Sequence, residues 1–459
     1  MGFFHSVHLI EDKCKGCVNC IKRCPTEAIR VRDGKADILE IRCIDCGECV
    51  RICPNKAKGV LADNLDAIRD YRYVIALPAP AIYSQFREGT SPEKAISALF
   101  MLGFDDVFDV AYAADLVAAK TRKIIQNSKI RPLISSACPA VVRLIQVRFP
   151  NLLDHIAQVE TPMEIAGRLV KQEAARKTGL REDEIGAFFL SPCPGKVSAV
   201  KEPTALEKGS VDGAIPISVI YPRLHEIISR MDIPDRKPMR QGSGPGIGWG
   251  RAGGENLSIG ADKHLAVDGI HNVSDILEDI ERGKLVGISY IEAQACVGGC
   301  VGGVLTVENP FITRRRQRML ASETDRQEMD SEQITQMRAD LANDRLYCFN
   351  WPIYPRPTLK LDDDMSVAIK KLAELEKIVE DLPGLDCGSC GAPNCRALAE
   401  DVVRGLASDM DCVFKLRERV QLLAEELLQA AAAVPPSMGA GRKSAEQNAT
   451  STDKEGTKL

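Results

Sequence analysis

The sequence predicts an α/β region of parallel sheets flanked by helices. A small α+β cysteine-rich module precedes it and a small helical cysteine-rich module follows it. Three observations carry this expectation. Residues 61–310 alternate short β-branched runs with amphipathic stretches, the pattern of strand–helix–strand crossovers. Residues 1–60 hold two copies of one cysteine run, and residues 361–415 hold four more cysteines behind a helical stretch. The boundaries expected are 1–60, 61–312, a helical linker over 313–360, 361–415, and a C-terminal helix with a disordered tail over 416–459.

The chain has 459 residues, 45% hydrophobic and 27% charged, proportions of an ordinary globular protein. A net charge of −4 gives no reason to expect nucleic acid or an anionic membrane as partner. No apolar run reaches the roughly 18 residues of a membrane span, and no secretory apolar segment opens the chain. A cytoplasmic protein is expected. Met1-Gly2-x-x-x-Ser6 fits a myristoylation acceptor, a pattern short enough to arise by chance. The 17 cysteines suit metal rather than a disulfide scaffold in so large a chain. Sixteen fall into groups with ligand spacing; Cys348 stands alone and is expected to be a buried core thiol.

Taken in order, the first copy of the repeat is Cys14-x2-Cys17-x2-Cys20-x3-Cys24-Pro25. The second is Cys43-x2-Cys46-x2-Cys49-x3-Cys53-Pro54. This is the bacterial ferredoxin run, in which the cysteine before proline reaches the other cluster. Cys14, Cys17, Cys20 and Cys53 are therefore expected to hold one 4Fe–4S cluster, and Cys43, Cys46, Cys49 and Cys24 a second.

Candidate strands follow at 73–80, 105–112, 131–137, 186–192, 213–219 and 284–292. Candidate helices lie at 91–102, 114–126, 139–149, 161–177 and 273–283. Ser91 and Thr161, each before Pro and an acid, mark helix starts. Three strand ends carry cysteines: Cys138, Cys193, and the pair Cys296 and Cys300 in 286-VGISYIEAQACVGGCVGG-303. Thiolates on a glycine loop suit a soft-metal cluster, which glycines allow the backbone to approach. Ligands of parallel sheets bind beyond the carboxyl ends of strands. The four cysteines are thus placed on one edge and expected to converge on one iron–sulfur centre.

Residues 242-GSGPGIGWGRAGGE-255 read as a structural loop, and 314–342 as a solvated, helical, mixed-charge stretch. Cys387, Cys390, Cys395 and Cys412 follow a helix near 365–382 and form the last four-thiolate group, with iron favoured over zinc. A helix is expected over 413–432 and disorder over 437–459.

At the three strand-end loops the sequence resembles the iron-only (FeFe) hydrogenases. The resemblance covers about residues 1–310. It implies an H-cluster, a 4Fe–4S cubane joined through a cysteine sulfur to a diiron subsite with CO, CN and a bridging dithiolate amine. In 135-SSACPAV-141, Cys138 would ligate the cubane. In 191-SPCPGKVSAVKEP-203, Cys193 would ligate it and Lys196 would donate to a cyanide. In 292-EAQACVGGCVGG-303, Cys296 would ligate it and Cys300 would bridge to the diiron unit. The segment 77-LPAPA-81, with Ala79 and Pro80, resembles the loop over the diiron face. The closing four-cysteine group resembles the small Fe–S domain of other redox proteins and would hold one further 4Fe–4S cluster.

The departures matter as much. The residue before the first cubane cysteine is a proton-passing cysteine in productive members; here it is Ala137. After 114-ADL-116 the carboxylates of the family's relay are replaced by Lys120 and Thr121. Val141, Ser191 and Gln294 stand where the family has tryptophan, methionine and methionine. Loss of one positioned proton-transfer group costs about 10²–10⁴-fold.

The resemblance therefore points to the putatively sensory branch, in a form without a PAS domain. The expected activity is slow oxidation or evolution of H2, with electrons passing through the 4Fe–4S clusters. Expected partners are H2 and protons, a ferredoxin-type redox protein, a kinase or phosphatase as signalling partner, and the diiron maturation proteins; an anaerobic cytoplasm is the expected setting. Two alternatives stand beside it. One is a competent hydrogenase with another proton path, through water and Lys120, Gln294 or Glu292. The other is a non-catalytic iron–sulfur assembly scaffold. Glu202 sits where the family often has an acid.

Overall fold

The computed structural model describes residues 3–230, 232–260, 262–324, 331–358 and 360–432. The Met1-Gly2 pattern and the tail at 437–459 lie outside the described residues. The chain forms two compact units, Met1–Lys360 and Leu361–Leu459. No helix among the described residues is long and apolar enough to cross a membrane.

The first unit opens with β1 (Val7–Leu9), α1 (Asn19–Arg23), β2 (Ile29–Arg32), β3 (Lys35–Ile38), α2 (Glu48–Ile52) and β4 (Lys58–Val60). β1 pairs antiparallel with β4, and β2 with β3. The two cysteine runs fold alike. Ala28 N donates to Cys24 Sγ and Ala57 N to Cys53 Sγ, both at 3.2 Å.

The α/β region follows as β5 (Tyr73–Pro78), α3 (Pro92–Phe100), β6 (Asp106–Val107), α4 (Val110–Asn127), β7 (Leu133–Ile134), α5 (Pro139–Arg148), α6 (Pro162–Thr178), β8 (Ile185–Ser191), α7 (Pro194–Lys201), β9 (Gly213–Pro216), α8 (Ile217–Arg230), α9 (Gly244–Gly248), α10 (Gly254–Ile259), β10 (His264–Asp268), α11 (Ile270–Glu281), β11 (Tyr290–Gln294), α12 (Pro310–Thr324) and α13 (Ser331–Ala342). The Ser91 and Thr161 hydroxyls cap α3 and α6 as their sequence context predicts, accepting from Lys94 N and Glu164 N.

Every pairing between the described strands of this region is parallel, but there are two sheets. Their orders are β6-β5-β8-β9 and β10-β11-β7. Cys138 and Cys296 follow strands of the smaller sheet, and Cys193 follows β8 of the larger. The expected single edge is thus a seam between two sheets. A periodicity of two cannot say which strands pair, so this division was not readable.

Several strands are shorter than expected, and β7 keeps only Leu133–Ile134 of the 131–137 run. The 105–112 run becomes helical at Val110, because the Asp109 carboxylate accepts from Ala111 N and caps α4. β9 stops at Pro216, which lacks the N–H to continue a ladder. β11 starts only at Tyr290, after Gly287 takes a left-handed φ of 84°.

The 314–342 stretch is also corrected. It divides into α12 and α13, and α12 is not merely solvated. Thr313 and Gln317 are buried, and Gln317 Nε2 donates to Pro80 O and Ile247 O. Arg316 Nη1 donates to Phe86 O at 2.9 Å. The helix therefore braces the loop after β5. Cys348 is exposed rather than buried, its Sγ donating to Asp344 O at 3.3 Å. The neighbouring Tyr347 fills the core position instead.

The second unit holds α14 (Met365–Asp381), α15 (Cys395–Val403) and α16 (Val413–Ala432). Leu375, Leu382, Leu398 and Cys412 form its core.

Candidate metal centre

Cys138 and Cys193 occupy equivalent local settings. Each is the N-cap of a helix whose first residue is proline, α5 for Cys138 and α7 for Cys193. A thiolate there sits at the positive end of the helix dipole. Cys296 and Cys300 lie in the turn after β11. Gly299 makes that turn with φ of 92°. A Cβ on it would overlap Gln294 Oε1 and meet Ala252 N at 2.6 Å, so only glycine fits.

Cys138, Cys193 and Cys300 line one cavity, with about 680 Å³ of space not filled by protein atoms. Ala79 and Pro80 roof it, and Ala137, Lys196 and Gln294 complete the expected set. That space is open to solvent on one side. Cys296 lies within electrostatic range of Cys138 and Cys193. Burial, then mutual repulsion with Cys138, pushes the Cys193 thiol up to about 11, and Cys296 and Cys300 rise further for the same reasons. Four thiolates this crowded and dry need a cationic partner, and a soft metal cluster supplies one.

Two polar groups in the cavity lack protein partners. Lys196 is buried, yet its Nζ makes no hydrogen bond or ion pair among the described residues. Burial pulls its pKa down, while the thiols of Cys193, Cys300 and Cys138 act the other way. Gln294 Oε1 is also buried and unpartnered. A bound group with cyanide acceptors and a bridging amine donor would satisfy both, so these residues fit the diiron subsite.

The glycine-rich 242–255 stretch is more than a structural loop. Trp249, Gly250 and Glu255 form one wall of the cavity. The Glu255 carboxylate accepts from Ser135 Oγ at 2.8 and 3.0 Å and from Tyr290 Oη at 2.5 Å. Burial raises its pKa to about 7. Behind it Glu292 accepts from Gly253 N and Asn256 N, and burial followed by the Glu255 charge raises it to about 8. The Asn256 side-chain atoms and Arg251 Nε are also buried without hydrogen-bond partners. Sequence reasoning missed Glu255. Its only trace was an acid closing a glycine run, with no strand pattern around it.

Other expected residues lie elsewhere. Lys120 pairs with Asp344 at 2.5 Å and does not line the cavity, because the α4 face that carries it turns toward Tyr347. Ser191 Oγ donates to Cys193 O at 3.0 Å and shapes that loop rather than facing the cavity. Val141 is buried in the apolar core. Glu202 Oε2 accepts from Phe4 N at 2.9 Å, a tether for the chain's start.

The second ferredoxin run lies against the same loops. Asp45, between Cys43 and Cys46, forms a buried ion pair with Arg143 of α5 at 2.7 Å. It also accepts from Ser198 Oγ of α7 at 2.7 Å. Arg51 Nη2 donates to Gly302 O at 2.7 Å, and Cys46 and Cys138 pack on one apolar cluster. Pocket space lined by Cys24, Cys43, Cys46 and Cys49 marks this inner cluster position.

Residues 72–259 and 252–304 match the C-terminal domain of the iron-only hydrogenase large subunit, half of the chain. The chain belongs to the iron-only hydrogenase family. In this hydrogenase-family chain residues 6–54 match a 4Fe-4S dicluster domain, and 382–414 match a putative Fe-S cluster domain. In that last segment Cys412 is buried and Cys387, Cys390 and Cys395 are exposed or half-buried. Burial, then the charges of Cys387 and Cys412, raises the Cys390 thiol.

The chain is 24% identical over 358 residues to the NADP-reducing hydrogenase subunit HndD of Solidesulfovibrio fructosivorans, covering 65% of this chain and 56% of that protein. It is 25% identical over 302 residues to a probable cytosolic Fe-S cluster assembly factor of Culex quinquefasciatus, covering 53% and 63%. It thus spans less than two thirds of either relative. A variant of the FeFe-hydrogenase HydA1 of Chlamydomonas reinhardtii aligns with a TM-score of 0.47 at 16% identity, over 64% of this chain and 95% of that one.

Proposed function

We propose that this chain binds an H-cluster and turns H2 over slowly, as an H2 or redox sensor. The observation that carries the reading is the cavity beside Cys300, with the buried, unpartnered Lys196 ammonium in it. Cys138, Cys193, Cys296 and Cys300 would hold the cubane, with Cys300 shared and Lys196 facing a cyanide. When bound, the H-cluster would supply the oxidation of H2 to two protons and two electrons.

The chain's own residues do the rest. Ala79, Pro80 and Trp249 make their side of the cavity apolar. Ala137 offers a methyl group where a proton would have to pass, which supports slow turnover. Glu255 is the cavity carboxylate, and its pKa near neutrality suits it to hold and release a proton. Glu292 and Arg251 continue from it away from the cavity. This carboxylate route replaces the Lys120 route, and Gln294 orients donors at the cavity wall. Electrons leave through the second ferredoxin run, which abuts the cysteine loops. The 387–412 cysteine group is a further redox site for a kinase, phosphatase or other signalling partner to read.

Similarity to an assembly factor supports one rival, a scaffold that carries cubanes alone. Infrared spectra after loading with the diiron precursor decide between them. The proposal expects CO and CN bands that shift under H2. No bands, or bands indifferent to H2, would overturn it.

A further inference from the structure

The two ferredoxin copies superpose in sequence and in local geometry. The first continues Cys24-Pro25-Thr26-Glu27-Ala28-Ile29 and the second Cys53-Pro54-Asn55-Lys56-Ala57-Lys58. Glu27 and Lys56 both take left-handed φ, 53° and 49°. The matching Ala28 and Ala57 amides make matching bonds to Cys24 and Cys53. At the next position the symmetry breaks. Ile29 is an apolar core residue lining the inner cluster position. Its counterpart Lys58 is just as enclosed, 6% exposed, but ends in an ammonium. Lys58 Nζ is shut off from water and has no hydrogen-bond partner in the protein.

By the repeat's exchange of clusters, Lys58 faces the outer cluster position as Ile29 faces the inner one. Its charge accordingly reaches Cys14 and Cys20 of the outer set, and Cys49 across the divide. A buried ammonium without a partner is unfavourable unless an anion meets it. The anion this position offers is the sulfur of an iron–sulfur cluster. Charge and hydrogen bonding to cluster sulfur raise its potential.

We propose that Lys58 is a positioning cation for the outer 4Fe–4S cluster and makes it the more easily reduced of the two ferredoxin clusters. The inner cluster abuts the catalytic loops, while outer ligand Cys17 is exposed. The step from inner to outer therefore runs downhill toward the surface, which favours H2 oxidation with an acceptor docking near Cys17. The redox event is the gain of one electron by the cluster; the ammonium keeps its proton and no covalent bond changes. The inference rests on Cys14, Cys17, Cys20 and Cys53 holding a cluster, which iron content and electron paramagnetic resonance report separately.

The test is a dithionite redox titration of the full chain, reconstituted with iron and sulfide and followed by paramagnetic resonance. Lys58→Ile installs the residue of the first copy, and Lys58→Gln is a neutral polar control that carries the same prediction if Lys58→Ile holds less iron. The expected result is one signal whose reduced-to-oxidised ratio at fixed potential falls at least about tenfold, equivalent to about 59 mV for a one-electron couple. Lys58→Arg keeps the parent ratio. Unchanged potentials at full iron content, or an equal shift of every cluster, would overturn the proposal.

Discussion

Replacing Glu255 by glutamine tests the proton route directly. The side chain sits between Ser135 Oγ and Tyr290 Oη, at 2.8 and 2.5 Å, on the wall of the cavity. Glutamine keeps its length and one acceptor oxygen but carries no exchangeable acid proton. With a pKa of about 7, the parent carboxyl is poised to accept and donate near neutrality. Removing it is expected to lower H2 oxidation and evolution by about 10²–10⁴-fold, or about 3–5 kcal/mol of barrier. Fold damage is a smaller effect, since one hydroxyl loses its acceptor for about 1 kcal/mol. The pH dependence separates the two. The folded pKa is raised above the ordinary 4.5, so folding binds the proton more tightly. The parent therefore loses stability as pH rises from 4.5 to 7, and Glu255→Gln loses less of it, since the buried acids Asp115, Glu160 and Glu292 still contribute. Viologen-linked activity, thermal unfolding and infrared spectra over that range are the assays. Ala137→Cys in the same background puts a titratable thiol on the same cavity and is expected to recover part of the activity. Glu255→Gln with intact CO and CN bands and parental activity would refute the route.

Three further outcomes are expected. Arg143→Met leaves the Asp45 carboxylate buried without its cation, which should cost about 3–5 kcal/mol; a lowered unfolding temperature, partly restored by adding Asp45→Asn, checks it. Gly254→Ala drives a methyl group into Gly248 O, displaces Glu255 and the cavity wall, and should abolish infrared bands after loading while ferredoxin paramagnetic signals remain. Lys196→Met removes a buried, unpartnered ammonium, so the apo chain should melt higher while diiron uptake, read as CO and CN bands, falls.

The cysteine runs were legible because ligand spacing is local: three thiolates separated by two residues each suit one cluster, and the cysteine before proline reaches the other. Strand-end cysteines were legible for the same reason, each carrying its own Pro or Gly turn. What sequence could not carry was pairing at a distance. The division into two sheets, with Cys193 on one and Cys138 and Cys296 on the other, depends on which strands meet. Glu255 was hidden because its neighbours in space, Ser135 and Tyr290, lie 120 and 35 positions away in sequence. Cys348 and Tyr347 differ by one residue on a short turn, and pattern alone does not say which faces inward.

The charges around the cavity bear on the choice between a hydrogenase and a scaffold. A cubane takes four thiolates, which Cys138, Cys193, Cys296 and Cys300 would supply, so a scaffold would need no further polar groups there. Yet the space beside Cys300 holds a buried ammonium, an orphaned amide oxygen and a carboxyl of near-neutral pKa. Of these, Gln294 Oε1 is buried without a hydrogen-bond partner, which costs about 1–3 kcal/mol unless something polar is bound. Lys196 calls for an acceptor and Gln294 Oε1 for a donor, whereas Glu255 already accepts from Ser135 and Tyr290. A diiron unit with cyanide and a bridging amine would offer Lys196 an acceptor and Gln294 Oε1 a donor; the sulfur of a cubane would serve Lys196 too, but gives Gln294 Oε1 no donor.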